Sequence, residues 1–185
     1  LALLLTDITN PFWTTVARGV EDEAARHGYT VIFCNTDEDI DKQANYLAML
    51  LRRRVDGLLL VPAGDSVQPI QQLLAQHAEV VVLDRQAPGC EVDIVRGSSL
   101  TAARRLVEHL IALGHQRIAV LSGPAGVSTA RERVEGYRAA LQSAGLPVHD
   151  DLVFFGSYSV DSGVEMACQA LATTPRPTAL FAANN

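Results

Sequence analysis

At 185 residues the chain is long enough for one large domain or two small lobes, since domains usually run to about 100–200 residues. Apolar residues make up 48% of it and charged residues 19%, which excludes general disorder and supplies a well-buried core. Fifteen Lys and Arg against 21 Asp and Glu leave a net charge of −6, the wrong sign for a chain that itself grips a phosphate backbone.

Short apolar, β-branched-rich runs predict strands over 2–6, 30–35, 57–62, 80–84, 117–122, 152–155 and 178–183, with a weak one at 92–95. Between them the pattern turns to a helical period. Asn10 before Pro11 marks a helix start, because Asn caps and Pro fits the first helical position. Ala44, Leu47, Ala48 and Leu51 fall at i, i+3, i+4 and i+7, and Ala103, Leu106, Val107, Leu110 and Ile111 repeat that spacing. Ser128 or Thr129 ahead of Glu132 gives a weaker capping signal. Gly28, Gly114 and Gly145 each follow a helical stretch and precede a strand, as helix-ending glycines do.

Strands that are apolar on both faces, alternating with helices, imply parallel sheets covered from either side: an α/β, doubly wound fold. The stretch Arg85–Ser99 carries Pro88-Gly89 and has no helical period. It is read as the passage between two lobes, residues 1–97 and 98–185, the second incomplete with only three full strands. Leu1 is not Met, and both ends border apolar runs, so the sequence reads as a segment of a longer polypeptide. No apolar run approaches the ~18–20 residues of a membrane span, and Leu1–Leu5 is too short for a signal-peptide core. Cys34, Cys90 and Cys168 are odd in number and widely spaced, which indicates neither a disulfide framework nor a metal knuckle. They read as buried, reduced thiols of a cytoplasmic protein.

Ligands of open α/β sheets lie beyond the carboxyl ends of the strands. Here those ends are 6–13, 35–39, 62–65, 84–85, 122–133, 156–162 and 183–185, and they carry Asp7, Asn10, Phe12, Trp13, Asp84, Arg85 and Tyr158. Aromatic faces beside amides and carboxylates suit a small polar ligand such as a sugar or nucleobase. The alternative reading of Phe12 and Trp13 is core packing at a helix start, and it applies more to Trp13 than to Phe12. The loop from Ser122 to Ala130 follows a strand and opens a helix, the place of a phosphate cradle. It lacks the Gly-Lys-Ser/Thr of a P-loop and the G-x-G-x-x-G of a dinucleotide site. No G-x-S-x-G elbow occurs, and the five histidines show no metal-ligand spacing. An α/β enzyme is therefore disfavoured, and neither cofactor nor metal is indicated. Arg52-Arg53-Arg54 reads as a solvated helix end, His109 and His115 as charge on a helix dipole, and Arg131 as an i, i+4 partner of Glu135. Arg133 lies about 200° further round the helix and needs another partner, which a guanidinium can hold bidentately.

Several stretches follow one another along the whole chain: Asp7-Ile-Thr-Asn-Pro-Phe-Trp13, Cys34-Asn-Thr-Asp-Glu-Asp39, Arg53-Arg-Val-Asp-Gly-Leu58, Val107-Glu-His-Leu-Ile-Ala-Leu-Gly-His115 with Arg117-Ile-Ala119, Ser128-Thr-Ala-Arg-Glu-Arg-Val-Glu-Gly-Tyr137, and Phe181-Ala-Ala-Asn-Asn185. In that order they resemble the effector-binding core of the LacI/GalR family of bacterial transcription regulators, whose fold is shared with periplasmic sugar-binding proteins.

The resemblance implies a two-lobed, type I periplasmic-binding-protein-like fold that clamps a small effector, often a sugar or purine, between its lobes. Effector binding then changes the lobe angle and the spacing of helix-turn-helix headpieces in a homodimer. By motif position the effector contacts would be Phe12, Trp13, Asp84, Arg133, Tyr158 and Asn184, with Asp7 and Asn10 in the same loop. Operator DNA would be met through an N-terminal headpiece that this sequence does not contain, and further ligand residues would lie in C-terminal parts that it also lacks. Where family members often carry Asp-Asn this chain has Ser98-Ser99, so a charge is absent there. The alternative reading is a periplasmic sugar-binding protein of a transport system.

Overall fold

The computed structural model describes residues 1–64 and 66–184; Asp65 and Asn185, each in a predicted ligand-facing loop, lie outside the described residues. The chain forms two compact units, Leu1–Arg96 and Gly97–Asn185.

In the first unit, strands β1 (Ala2–Leu5), β2 (Ile32–Asn35), β3 (Leu58–Leu60), β4 (Val80–Leu83) and β5 (Asp93–Val95) alternate with helices α1 (Pro11–Arg26), α2 (Ile40–Arg52) and α3 (Gln68–Ala75) up to β4. All pairings are parallel, in the order β2-β1-β3-β4-β5. Every strand therefore ends on the same edge, and the order reverses between β1 and β3, the position where such sheets take ligands. Alternation along β1 explains the layers. Ala2 and Leu4 point to one face, packed with Leu47 and Leu50 of α2 and Ile70 and Leu73 of α3. Leu3 and Leu5 point to the other, where α1 supplies Trp13 and Ala17. This is why the strand reads as one unbroken apolar run.

The second unit holds α4 (Ser99–Ala112), β6 (Ile118–Ser122), α5 (Ser128–Ser143), β7 (Val153–Phe155), α6 (Val160–Ala172) and β8 (Ala179–Ala182). Its parallel sheet runs β7-β6-β8. Ile118 and Val120 face α4 and α5, while Ala119 and Leu121 face Met166 and Ala170 of α6. Among the described residues no helix is long and apolar enough to cross a membrane.

Several local expectations are corrected. On α2 the buried stripe is Gln43, Leu47 and Leu50, with Tyr46 partly covered, whereas Ala44 and Ala48 are exposed. A methyl group gains little by burial and alanine is the best helix former, so the apolar label misplaced the stripe by one residue. On α4, Ala103 and Val107 are buried, Leu110 and Ile111 partly so, and Leu106 faces outward. Helix α5 starts one residue earlier than the capping signal implied: Val127 is its N-cap and Ser128 its first helical residue. The three cysteines are free but differ in setting: Cys34 is buried, Cys90 half-buried and Cys168 exposed.

Candidate functional site

Unit 1 builds its strand-end edge from three loops. After β1, Asp7 Oδ1 accepts the Thr9 amide at 2.8 Å and the Thr9 hydroxyl at 2.6 Å, closing a turn that leads into α1. Asn10 Oδ1 then accepts the Phe12 amide at 2.9 Å as the helix cap. Both candidates thus have an oxygen committed to shaping this loop. At the end of β2, Asn35 joins the loops: its Oδ1 accepts the Ile8 amide at 3.0 Å and its Nδ2 donates to Asp37 Oδ1 at 2.6 Å. Lys42 also donates to Asp37; that bond, aided by the one from Asn35, holds the Asp37 carboxyl below the usual carboxylate range.

The two neighbouring rings divide their roles. Phe12 is 52% exposed, whereas Trp13 is 6% exposed and packs among Leu3, Leu5, Ala17, Val61 and Leu83. Their centroids are 4.8 Å apart with planes at 69°, an edge-to-face contact. Of the two roles open to Trp13, the structure gives it the core one, and it supports Phe12 from behind.

After β4, Asp84 is half-buried at φ 64°, and its amide donates to the Val95 carbonyl at 2.9 Å. The next residue, Arg85, is buried; it forks onto Glu38 and also donates to the Pro62 carbonyl. Gln43, fully buried, accepts the Ala63 amide on Oε1 at 2.6 Å. Neither Glu38 nor Gln43 is legible as a site residue from spacing. Glu38 meets a residue 47 positions away, and Gln43 is a polar residue in an otherwise apolar stripe. The one available signal was Arg85 itself, a charge set directly after an apolar strand.

Unit 2 gathers the other candidates at the ends of β6, β7 and β8. The Tyr158 ring lies against Gly123, the first residue after β6; a Cβ at position 123 would overlap it. Tyr158 itself is half-buried. Arg133 sits in the second turn of α5 and donates through Nη1 to the Ala183 carbonyl at 2.9 Å and to Asn184 Oδ1 at 3.4 Å. Arg133 and Asn184 are thereby brought together, 51 positions apart in sequence. Arg131 does not pair with Glu135 as expected; its Nη1 donates to the carbonyls of Ala125 and Gly126 and so fastens the loop after β6. That loop opens α5 but is held by its own helix. Among the described residues no group of three or more His, Cys, Asp or Glu side chains is placed to hold a metal ion. Both strand-end edges present hydrogen-bonding groups and ring surface.

Residues 1–185 match the family described as periplasmic binding proteins and sugar binding domain of the LacI family. The chain is 36% identical over 187 aligned positions to the HTH-type transcriptional repressor PurR of Photobacterium profundum, covering all of this chain and 56% of that protein. It is 34% identical to the ribose operon repressor of Escherichia coli K12, with the same coverage. It thus spans little more than half the length of these curated relatives. Among solved structures, the transcription regulator CcpA of Lactococcus lactis superposes with a TM-score of 0.88 at 27% identity, over 98% of this chain and 66% of that one.

Proposed function

The chain belongs to the family of periplasmic binding proteins and LacI-family sugar-binding domains, and from that premise we propose that it is the effector-binding and dimerisation part of a bacterial transcription repressor. The effector is a small polar molecule, a sugar or a purine-like base, bound without chemical change. The candidate contact residues are Phe12 and Asp84 within unit 1 and, taken separately, Arg133, Tyr158 and Asn184 within unit 2. Asp7 and Asn10 shape the loop that carries Phe12.

The observation that carries the reading is the placement of these groups: each stands at the carboxyl end of a parallel strand or the first turns of the following helix. The half-buried guanidinium of Arg133 suits a hydroxyl or ring acceptor, and the Tyr158 and Phe12 rings suit its apolar faces. Repressor names on both curated relatives favour a regulator over a transport protein. Operator contact is assigned to a helix-turn-helix headpiece, since the net charge of −6 on these 185 residues opposes phosphate. The protein then works in the cytoplasm as a homodimer.

The test is a thermal-shift screen of pentoses, hexoses and purine bases followed by titration calorimetry, because a ligand that prefers the folded state raises its melting temperature. A saturable, unconsumed ligand upholds the proposal. Turnover of the ligand would replace it with an enzyme.

A further inference from the structure

Two strained turns of unit 1 are tied to each other by one ion pair, and the tie lies directly beside Asp84. Asp84 has φ 64°, and across it the Arg85 amide donates to the Leu83 carbonyl at 2.7 Å. This is a γ-turn centred on a residue in the left-handed region, which is costly for any residue with a Cβ. At the end of β2, Asp37 and Glu38 follow one another at φ 54° and 58°, two left-handed residues in succession. Such conformations persist only where the surroundings over-determine them.

The surroundings of Asp84 do so from two sides. On one, β5 accepts its amide through the Val95 carbonyl at 2.9 Å. On the other, the Arg85 guanidinium closes a two-pronged fork on Glu38, Nη1 to Oε2 at 2.9 Å and Nη2 to Oε1, while Nη1 also donates to the Pro62 carbonyl. The Arg85 side chain is 4% exposed and that of Glu38 24%. A planar guanidinium fixes a carboxylate in direction as well as distance, which an ammonium does not. A buried ion pair is a weak source of net stability, because desolvation offsets the attraction. What this pair supplies is geometry: it joins the turn after β2 to the turn after β4, although β1 and β3 stand between those strands in the sheet.

We propose that Glu38 and Arg85 are positioning residues for effector binding: their fork holds Asp84 in its left-handed turn, the conformation in which the end of β4 meets the effector. The proposal rests on the reading that Asp84 contacts the effector, and it adds two residues that touch no ligand themselves.

The experiment is a double-mutant cycle in the full chain, with D-ribose as titrant and amide hydrogen exchange at Asp84 in the ligand-free protein as an independent readout. Glu38→Gln keeps shape and removes charge; Arg85→Lys keeps charge and removes the fork, and serves if the first variant fails to fold. The expected result is a D-ribose affinity lowered at least about tenfold, an Asp84 amide that exchanges at least about tenfold faster, and an unchanged Leu4 core amide. Glu38→Gln should add nothing to the loss already caused by Asp84→Ala. Wild-type exchange at Asp84, or losses that multiply in the double variant, would overturn the proposal. If D-ribose does not bind the wild-type chain, the ligand found by the sugar and purine screen takes its place as titrant; if the titrant binds Asp84→Ala as well as the wild type, the effector contact of Asp84 fails by itself. The positioning role is then decided by exchange alone, faster exchange in Glu38→Gln upholding it and unchanged exchange overturning it.

Discussion

The ring of Tyr158 occupies the space that a side chain at Gly123 would need. Gly123 therefore serves a close approach between a loop and a ring, and the ring is held at the strand-end edge of unit 2. Gly123→Ala should push the ring away. An aromatic packing contact is worth ~0.5–1.5 kcal/mol, so D-ribose or whichever sugar binds should lose roughly two- to tenfold in affinity by calorimetry. Tyr158→Phe should keep most of it, and equal losses in both variants would place the recognition on the hydroxyl instead.

Arg133→Ala should weaken effector binding by more than about tenfold, since a hydrogen bond from a charged, half-buried guanidinium is worth roughly 1.5–3 kcal/mol. It also releases the Ala183 carbonyl and the Asn184 side chain. Arg133→Lys should recover only part of the loss, because a point charge cannot hold an acceptor through a planar fork. An unchanged dissociation constant in Arg133→Ala would remove this residue from the site.

Helices α4 and α5 cross at Gly136. A Cβ there would overlap the Leu100 carbonyl and stand 2.9 Å from the Arg104 amide nitrogen and 3.0 Å from Ala103 Cβ. The neighbours are backbone and cannot swing aside, so Gly136→Ala should cost at least the ~1–3 kcal/mol of ordinary overpacking. For a unit of this size that lowers Tm by about 4–8 °C for each kcal/mol. Sugar affinity at a temperature where the variant is folded should be unchanged, which separates this glycine from Gly123.

Tyr137 is fully buried and donates its hydroxyl proton to the Ile118 carbonyl at 2.8 Å. Burial pushes its phenol up to about 12, above the ordinary value near 10. The phenolate forms more readily in the unfolded chain, so the stabilisation is complete below pH 10 and is lost as pH rises from 10 towards 12. Tyrosinate absorbance should show a late step near pH 12 that Tyr137→Phe abolishes. The same substitution should cost about 1 kcal/mol at neutral pH, the usual worth of one such hydrogen bond.

Much of the fold was legible because its signals are local. The strand over 2–6 became Ala2–Leu5, the weak one at 92–95 became Asp93–Val95, and Gly28, Gly114 and Gly145 end their helices at φ 78°, 93° and 67°. Helix faces were harder. Alanine at 44 and 48 looked buried and is not, whereas Gln43, which lies outside the apolar pattern, is buried, because apolar identity is only a proxy for the energy gained by burial. For the candidate site, position along the strand ends was readable but partnership was not. Arg133 with Asn184, Tyr158 with Gly123, and Arg85 with Glu38 join residues 51, 35 and 47 positions apart, so their pairing depends on strand order and loop path. Trp13 and Phe12 illustrate the same limit at closer range: adjacent in sequence, they fall on opposite sides of the core boundary.

The central claim is that residues at the strand ends bind a small polar molecule and leave it unchanged. Titration calorimetry of the wild-type chain, Asp84→Ala and Arg133→Ala against the best ligand of the sugar and purine screen tests it most directly. The account predicts saturable binding by the wild type, recovery of the ligand intact, and at least a tenfold loss, about 1.4 kcal/mol, in each variant. Wild-type affinity in both variants would contradict it.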